Sequence, residues 1–175
     1  MPFITLFSAP KPFNVPHIAM IQRNALHSWT LLPGVEIILL GQEAGLAQTA
    51  KEFGVKHIPE VKCNANGTPL ISSMFAMARQ NSRAGLFCIV NADVILMPDL
   101  VEAAQQVVKL RDRFVLLGRR WDLDVTQPIE FSEGWQSRLE ACVRGQGRLH
   151  RPAGSDFFLF PTSLYHDIPD FTIGR

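Results

Sequence analysis

The sequence predicts an α/β protein, a three-layer sandwich with helices covering both faces of a mainly parallel central sheet. Three observations point there. Short runs of β-branched and aromatic residues alternate with segments whose apolar positions recur at helical spacing, from Phe3 through Leu117. The run Leu86-Phe-Cys-Ile-Val90 is apolar without polar alternation, the pattern of a strand covered on both faces. With 175 residues, 47% hydrophobic and 19% charged, the chain is long enough for a sizeable core. No repeat or low-complexity linker divides it, so residues 1–175 read as a single domain.

Taken in order, Phe3 to Ser8 reads as the first strand, running into a loop that Pro10 and Pro12 hold extended. Ile18, Ile21, Ala25, Trp29 and Leu32 mark an amphipathic helix from about Pro16, ending before Pro33-Gly34. Val35 to Leu40 is a second strand, closed by Gly41. A short helix follows, with Leu46, Ala47, Ala50 and Phe53 on one face and Gly54 as its C-terminal cap. Val55 to Val61 gives a short third strand that Pro59 places near an edge. After the turn-rich Cys63-Asn-Ala-Asn-Gly-Thr-Pro, Thr68 is the expected N-cap and Pro69 the first residue of a helix. Its inner face is Leu70, Ile71, Met74, Phe75 and Ala78. A helix from Pro98 to about Leu110 follows the central strand. Phe114 to Leu117 is another strand, Trp135 to Val143 a weaker helix, and Phe157 to Phe160 a last strand entered from Gly154-Ser155-Asp156.

Composition excludes several classes of partner. A net charge of +1 offers no electrostatic footprint for nucleic acid or an anionic membrane. No apolar run approaches the roughly 20 residues of a membrane span, and the opening Met-Pro-Phe-Ile-Thr-Leu-Phe lacks the basic region and cleavage site of a signal peptide. Cys63, Cys88 and Cys142 form no CxxC or zinc spacing, and the five histidines form no HxH or HxxxH pattern. A reducing, cytoplasmic setting is expected. The ending Asp167-Ile-Pro-Asp-Phe-Thr-Ile-Gly-Arg175 reads as a loop cut midway, as in a piece of a longer protein.

Ligands of open α/β sheets sit beyond the carboxyl ends of the strands. There the sequence places Ser8 and Lys11 after the first strand, Gln42 and Glu43 after the second, and Asn91 and Asp93 after the central one. A helix-capping role suits Asp93 poorly, because Val94 to Met97 separate it from Pro98. The phosphate-binding patterns GxxxxGK[ST] and GxGxxG are absent, so a bound diphosphate needs positive charge from another source. A Mg²⁺ or Mn²⁺ held by Asp93 and Asn91 would supply it.

This arrangement resembles the GT-A glycosyltransferases, in which a strand ends in a DxD motif that binds a metal and the diphosphate of a nucleotide sugar. The matching residues are Asn91-Ala92-Asp93, with Asn at the first acidic position. The segments Gly154-Ser-Asp-Phe-Phe-Leu-Phe-Pro161 and Asp167 to Arg175 resemble the second half of a glycosyltransferase-like domain, where a Gly-x-Asp-aromatic segment flanks the acceptor site. The resemblance implies Asp93 as the main metal ligand and Asp156 as a catalytic base or acceptor contact. For Asp156 a turn residue bonding its own backbone after glycine is the alternative. The implied reaction moves a sugar from a nucleotide-diphosphate sugar to a glycan, lipid or small-molecule acceptor. A sugar nucleotidyltransferase and a non-catalytic nucleotide-sugar-binding domain are the rival readings. Arg119, Arg120, Trp121, Asp122 and Asp124 are further candidates for diphosphate or sugar contact, against the simpler expectation of a solvated loop with Trp121 packed back on the domain. His150 and Arg151 are lesser candidates on the acceptor side.

Overall fold

In a computed structural model, which describes residues 1–152 and 154–172, β1 (Ile4–Ser8), β2 (Val35–Leu40), β3 (Lys56–Ile58) and β4 (Leu86–Val90) alternate with α1 (Pro16–Thr30), α2 (Leu46–Phe53) and α3 (Ile71–Asn81). Then follow α4 (Asp99–Leu110), β5 (Leu116–Arg119), β6 (Trp121–Asp122), α5 (Trp135–Gln146), β7 (Arg148–Leu149) and β8 (Ser155–Pro161). Six strands form one sheet in the order β3-β2-β1-β4-β8-β5, while β6 and β7 pair as a separate antiparallel ribbon. The order reverses at β1, with β2 on one side and β4 on the other, both parallel to it.

The lack of polar alternation in β1, β2 and β4 follows from burial on both faces. Ile4 and Leu6, Ile37 and Leu39, and Leu86 and Cys88 pack toward α1, α2 and α4. The intervening Phe7, Ile38 and Phe87 pack with Ile71, Met74, Phe75 and Ala78 of α3 on the other face. Trp29 anchors the larger cluster; its indole is 1% exposed and Nε1 donates to Val94 O at 2.9 Å. The α5 helix joins through Trp135, which packs on Phe131, which in turn lies against His27 of α1. Among the described residues no helix is long and apolar enough to cross a membrane.

Four sequence expectations change. Thr68 does not cap α3: the helix begins at Ile71 with Leu70 at its cap and no side-chain cap bond. Asn64 Oδ1 instead accepts from Asn66 N and Thr68 N, folding the loop into a tight turn closed by a Cys63–Pro69 bridge. The fifth strand starts at Leu116 rather than Phe114, because its register is set by pairing Leu116 with Leu159 and Leu117 with Phe158. Asp156 is the second residue of β8 rather than a turn residue. Trp121 does not pack back on the domain; it stands 51% exposed on β6. β8 also runs antiparallel to β4 and β5, the one reversal in an otherwise parallel sheet. Ile173, Gly174 and Arg175, part of the second resemblance, lie outside the described residues.

Candidate active site

The carboxyl ends of β1 and β4 open onto a cleft of about 350 Å³. Ser8, Lys11, Asn91, Asp93 and Asp156 all line it, so five of the six residues singled out for binding or catalysis come together. Gln42 does not: it is exposed outside this cleft and its amide reaches Pro59 O at 3.4 Å.

The strand ends are tied to one another before any ligand is considered. Ser8 Oγ, 1% exposed, donates to Val90 O at 2.6 Å, fastening the tip of β1 to the tip of β4. Beyond β4, Asn91-Ala92-Asp93-Val94 forms a turn in which Val94 N donates to Asn91 O at 3.2 Å. Asn91 is held from β8 twice: its backbone N donates to Asp156 O at 2.9 Å, and its Nδ2 to Asp156 Oδ1 at 2.8 Å. Asp93 is exposed at the same turn, where a carboxylate keeps its oxygens open to a ligand.

Asp156 is 7% exposed, and a carboxylate so buried requires a charged partner. Arg120 provides it. Nη1 donates to both carboxylate oxygens, at 2.6 and 2.7 Å, and Nε donates to Asp122 Oδ1 at 2.8 Å. Asp122 Oδ2 lies 2.8 Å from His150 Nδ1, so a continuous polar chain runs from Asn91 through Asp156, Arg120 and Asp122 to His150. The Asp122 carboxyl is held below the usual carboxylate range, first by the Arg120 hydrogen bond and then by His150. Arg120 is raised in turn, chiefly by Asp122. Gly154 lets His150 lie where it does, since a Cβ there would overlap the imidazole.

Each carboxylate oxygen can accept two hydrogen bonds. Oδ1 of Asp156 receives Asn91 and Arg120, whereas Oδ2 receives Arg120 alone. One acceptor position therefore remains on Oδ2, and Asp156 lines the cleft.

The loop after β1 has few donors to offer. Pro10 and Pro12 carry no N–H. Lys11 N donates to Gln22 Oε1 at 2.6 Å, and Phe13 N donates to Ala44 O at 2.8 Å. Gln22, 3% exposed on α1, also donates from Nε2 to Lys11 O, clamping the loop at two points. The clamp was not anticipated from sequence; its signal is an amide next to Ile21 on the inner face of a helix.

A metal would find a partial donor set here. No group of three or more His, Cys, Asp or Glu among the described residues could hold one. Asp93 offers a carboxylate, and Asn91 keeps its carbonyl oxygen because its Nδ2 is the group bonded to Asp156. That set fits Mg²⁺, which typically binds one or two protein oxygens and completes its shell with water and substrate phosphates.

A second and larger cleft of about 1290 Å³ adjoins the first and shares Asp93 and Asp156 with it. Its walls are the segment leading into α4 on one side, and β5, β6 and α5 on the other.

No protein-family model and no curated protein matches the sequence. Solved structures do match in fold. The 4-diphosphocytidyl-2C-methyl-D-erythritol synthase of Anaerococcus prevotii superposes with a TM-score of 0.52 at 9% identity, over 92% of this chain and 70% of that one. A protein from Desulfovibrio desulfuricans described as a nucleotide-diphospho-sugar transferase gives 0.52 at 12% identity, over 95% and 66%. A CMP:2-keto-3-deoxy-manno-octonic acid synthetase complexed with CTP gives 0.50 at 11% identity, over 93% and 75%. The chain thus has the mixed α/β fold of the nucleotide-diphospho-sugar transferases, and at these identities the likeness is one of fold alone.

Proposed function

We propose that this chain is a nucleotide-sugar-dependent glycosyltransferase in which the 350 Å³ cleft takes the donor. The observation that carries the reading is the loop after β1. A nucleotidyltransferase holds a triphosphate with a glycine-rich, basic segment at that place. Here two prolines lack N–H groups, and the amides of Lys11 and Phe13 are already bonded inside the protein. Charge neutralisation then falls to the turn after β4. Asp93, with the Asn91 carbonyl, would hold Mg²⁺ or Mn²⁺, which supplies a Lewis acid for the departing diphosphate. Lys11, exposed at the cleft, adds a positive charge near the phosphates, and Ser8 supports the strand end beneath them. In a transfer with inversion, the acceptor hydroxyl would give its proton to the remaining acceptor position on Asp156 Oδ2. Gln42 lies outside this cleft and has no part in the proposal. The partners are a nucleotide-sugar donor and a hydroxyl-bearing acceptor. Three free cysteines suit a cytoplasmic setting.

The test is equilibrium binding of UDP and GDP with and without Mn²⁺, for the native protein and for Asp93→Ala. Mn²⁺ should tighten binding of one nucleotide at least tenfold in the native protein and leave Asp93→Ala unchanged. For both nucleotides, equal affinity with and without Mn²⁺ in both proteins would sink the metal–diphosphate reading. The sugar nucleotidyltransferase reading is favoured by the two synthases among the similar folds. Pyrophosphate release from a nucleoside triphosphate and a sugar phosphate would establish it. Binding of a nucleotide sugar with neither transfer nor hydrolysis would favour a non-catalytic domain.

A further inference from the structure

The 1290 Å³ cleft beyond Asp93 and Asp156 has a composition that selects its occupant. Its arginines are all engaged. Arg119 donates from Nε and Nη2 to His150 O at 3.0 and 2.6 Å, and Arg120 is bound to Asp122 and Asp156. Arg144 pairs with Glu140 at 3.5 Å, and Arg148 lies 3.8 Å from Asp122. Four carboxylates along the same walls, Asp93, Asp99, Glu102 and Asp124, have no ion-pair partner among the described residues. Carboxylates outnumber arginines along this cleft, and Arg120, Arg144 and Arg148 are already ion-paired, so an anionic occupant such as a lipid phosphate would meet an excess of negative charge. Carboxylates are acceptors only, so they suit a molecule rich in hydroxyl donors.

The second feature is Trp121. Its indole lines the cleft and is 51% exposed, although a tryptophan is ordinarily among the more buried side chains. It stands on a ribbon fixed on both sides: β6 pairs with β7 through Trp121–Leu149 and Asp122–Arg148, and the neighbouring Arg120 and Asp122 belong to the polar chain ending at His150. A half-exposed indole on a paired backbone is an apolar face of the size of a pyranose ring, with only two side-chain torsions to order on binding.

We infer that the larger cleft is a binding site for an uncharged saccharide, one ring of which stacks on Trp121 while its hydroxyls donate to the unpaired carboxylates. Naming this saccharide as the acceptor rests on the proposed glycosyl transfer; the binding site does not. The ring nearest the shared edge would present a hydroxyl beside Asp93 and Asp156, where the donor cleft opens.

The experiment measures binding to the native protein without nucleotide or metal. Maltotriose, cellotriose and triacetylchitotriose are titrated by calorimetry and tryptophan fluorescence, with glucose 6-phosphate and geranyl phosphate as anionic probes. Trp29 and Trp135 are buried, so a fluorescence change reports on Trp121. At least one neutral trisaccharide should bind more tightly than either anion. Trp121→Ala should weaken it by about tenfold, and Trp121→Phe should keep most of the affinity. Trp121→Gln is a second removal of the ring should the alanine variant unfold, with circular dichroism as the fold control. Tighter binding of geranyl phosphate, no binding of any trisaccharide, or saccharide binding indifferent to Trp121 would each overturn the inference. Saccharide binding in a protein with no nucleotide affinity would remove the glycosyltransferase proposal and leave this site standing.

Discussion

Asp156 shows how much of a site depends on partners far away in the sequence. Its position after glycine suggests either a turn or a reactive carboxylate; it lies in a strand, as the buried member of a polar network whose cation, Arg120, lies 36 residues earlier. Asn91 and Asp93 were legible because a strand end is visible as a break in an apolar run. Arg120 stands in the sequence only as one of several candidates for diphosphate or sugar contact, and its pairing with Asp156 is not legible there, because nothing local distinguishes an arginine that pairs from one that is solvated. Removing Arg120 leaves a carboxylate 7% exposed without its counter-charge, which is costly. Arg120→Ala should therefore lose roughly 1–3 kcal/mol of stability in urea unfolding, the half-exposed arginine site letting water reach Asp156. The Asp122 carboxyl, held low by Arg120, gives a test with a definite sign. A lowered carboxyl stabilises the fold above its ordinary value, about 3.9 for Asp, and the benefit disappears as pH falls through the lowered value. The stability gap between native protein and Asp122→Asn should persist down to about pH 4 and close below it. Gly118 supplies a steric counterpart. A Cβ there would overlap the Phe157 ring across β5 and β8, so Gly118→Ala should cost about 1–3 kcal/mol.

Among the elements, the helices and the parallel strands could be placed from local signals. The second strand was bounded at Val35 and Leu40 as observed, and α2 ends at Gly54, whose φ of 65° is the left-handed conformation that glycine favours. Where local signals competed, they misled. Thr68-Pro69 has the composition of a helix start, yet Asn64 draws the Thr68 amide into its own turn and Leu70 N donates to Lys62 O, which delays the helix to Ile71. The β6–β7 ribbon is two residues a side, too short for any alternation to show. β8 was recognised as a strand, but its direction is set by partners at both edges rather than by its own residues. Leu159 sits at its centre with no exposure, opposite Cys88 and Leu116. Leu159→Ala should lower stability by about 2–5 kcal/mol, with the midpoint of denaturation reporting the loss.

Across the whole molecule, the sheet is assembled from strands out of chain order. β4 and β5 are both complete by Arg119, but they do not touch, because β8 lies between them and bonds to each. The 350 Å³ cleft is lined from β1, β8 and the end of β4, so neither the sheet nor the cleft is finished until β8 is in place. A chain ending at residue 154 should expose two unpaired strand edges and the apolar faces of Phe87 and Cys88. It should fail to give a cooperative unfolding transition, while the full chain gives one. The same fact has a meaning for synthesis in the cell. A ribosome releases the first four strands well before the strand that clasps them, so between those two events the nascent chain is an open sheet. During that interval its protection against wrong partners must come from outside the molecule, and the speed with which the final strand arrives and inserts becomes a determinant of how much of the protein survives its own manufacture.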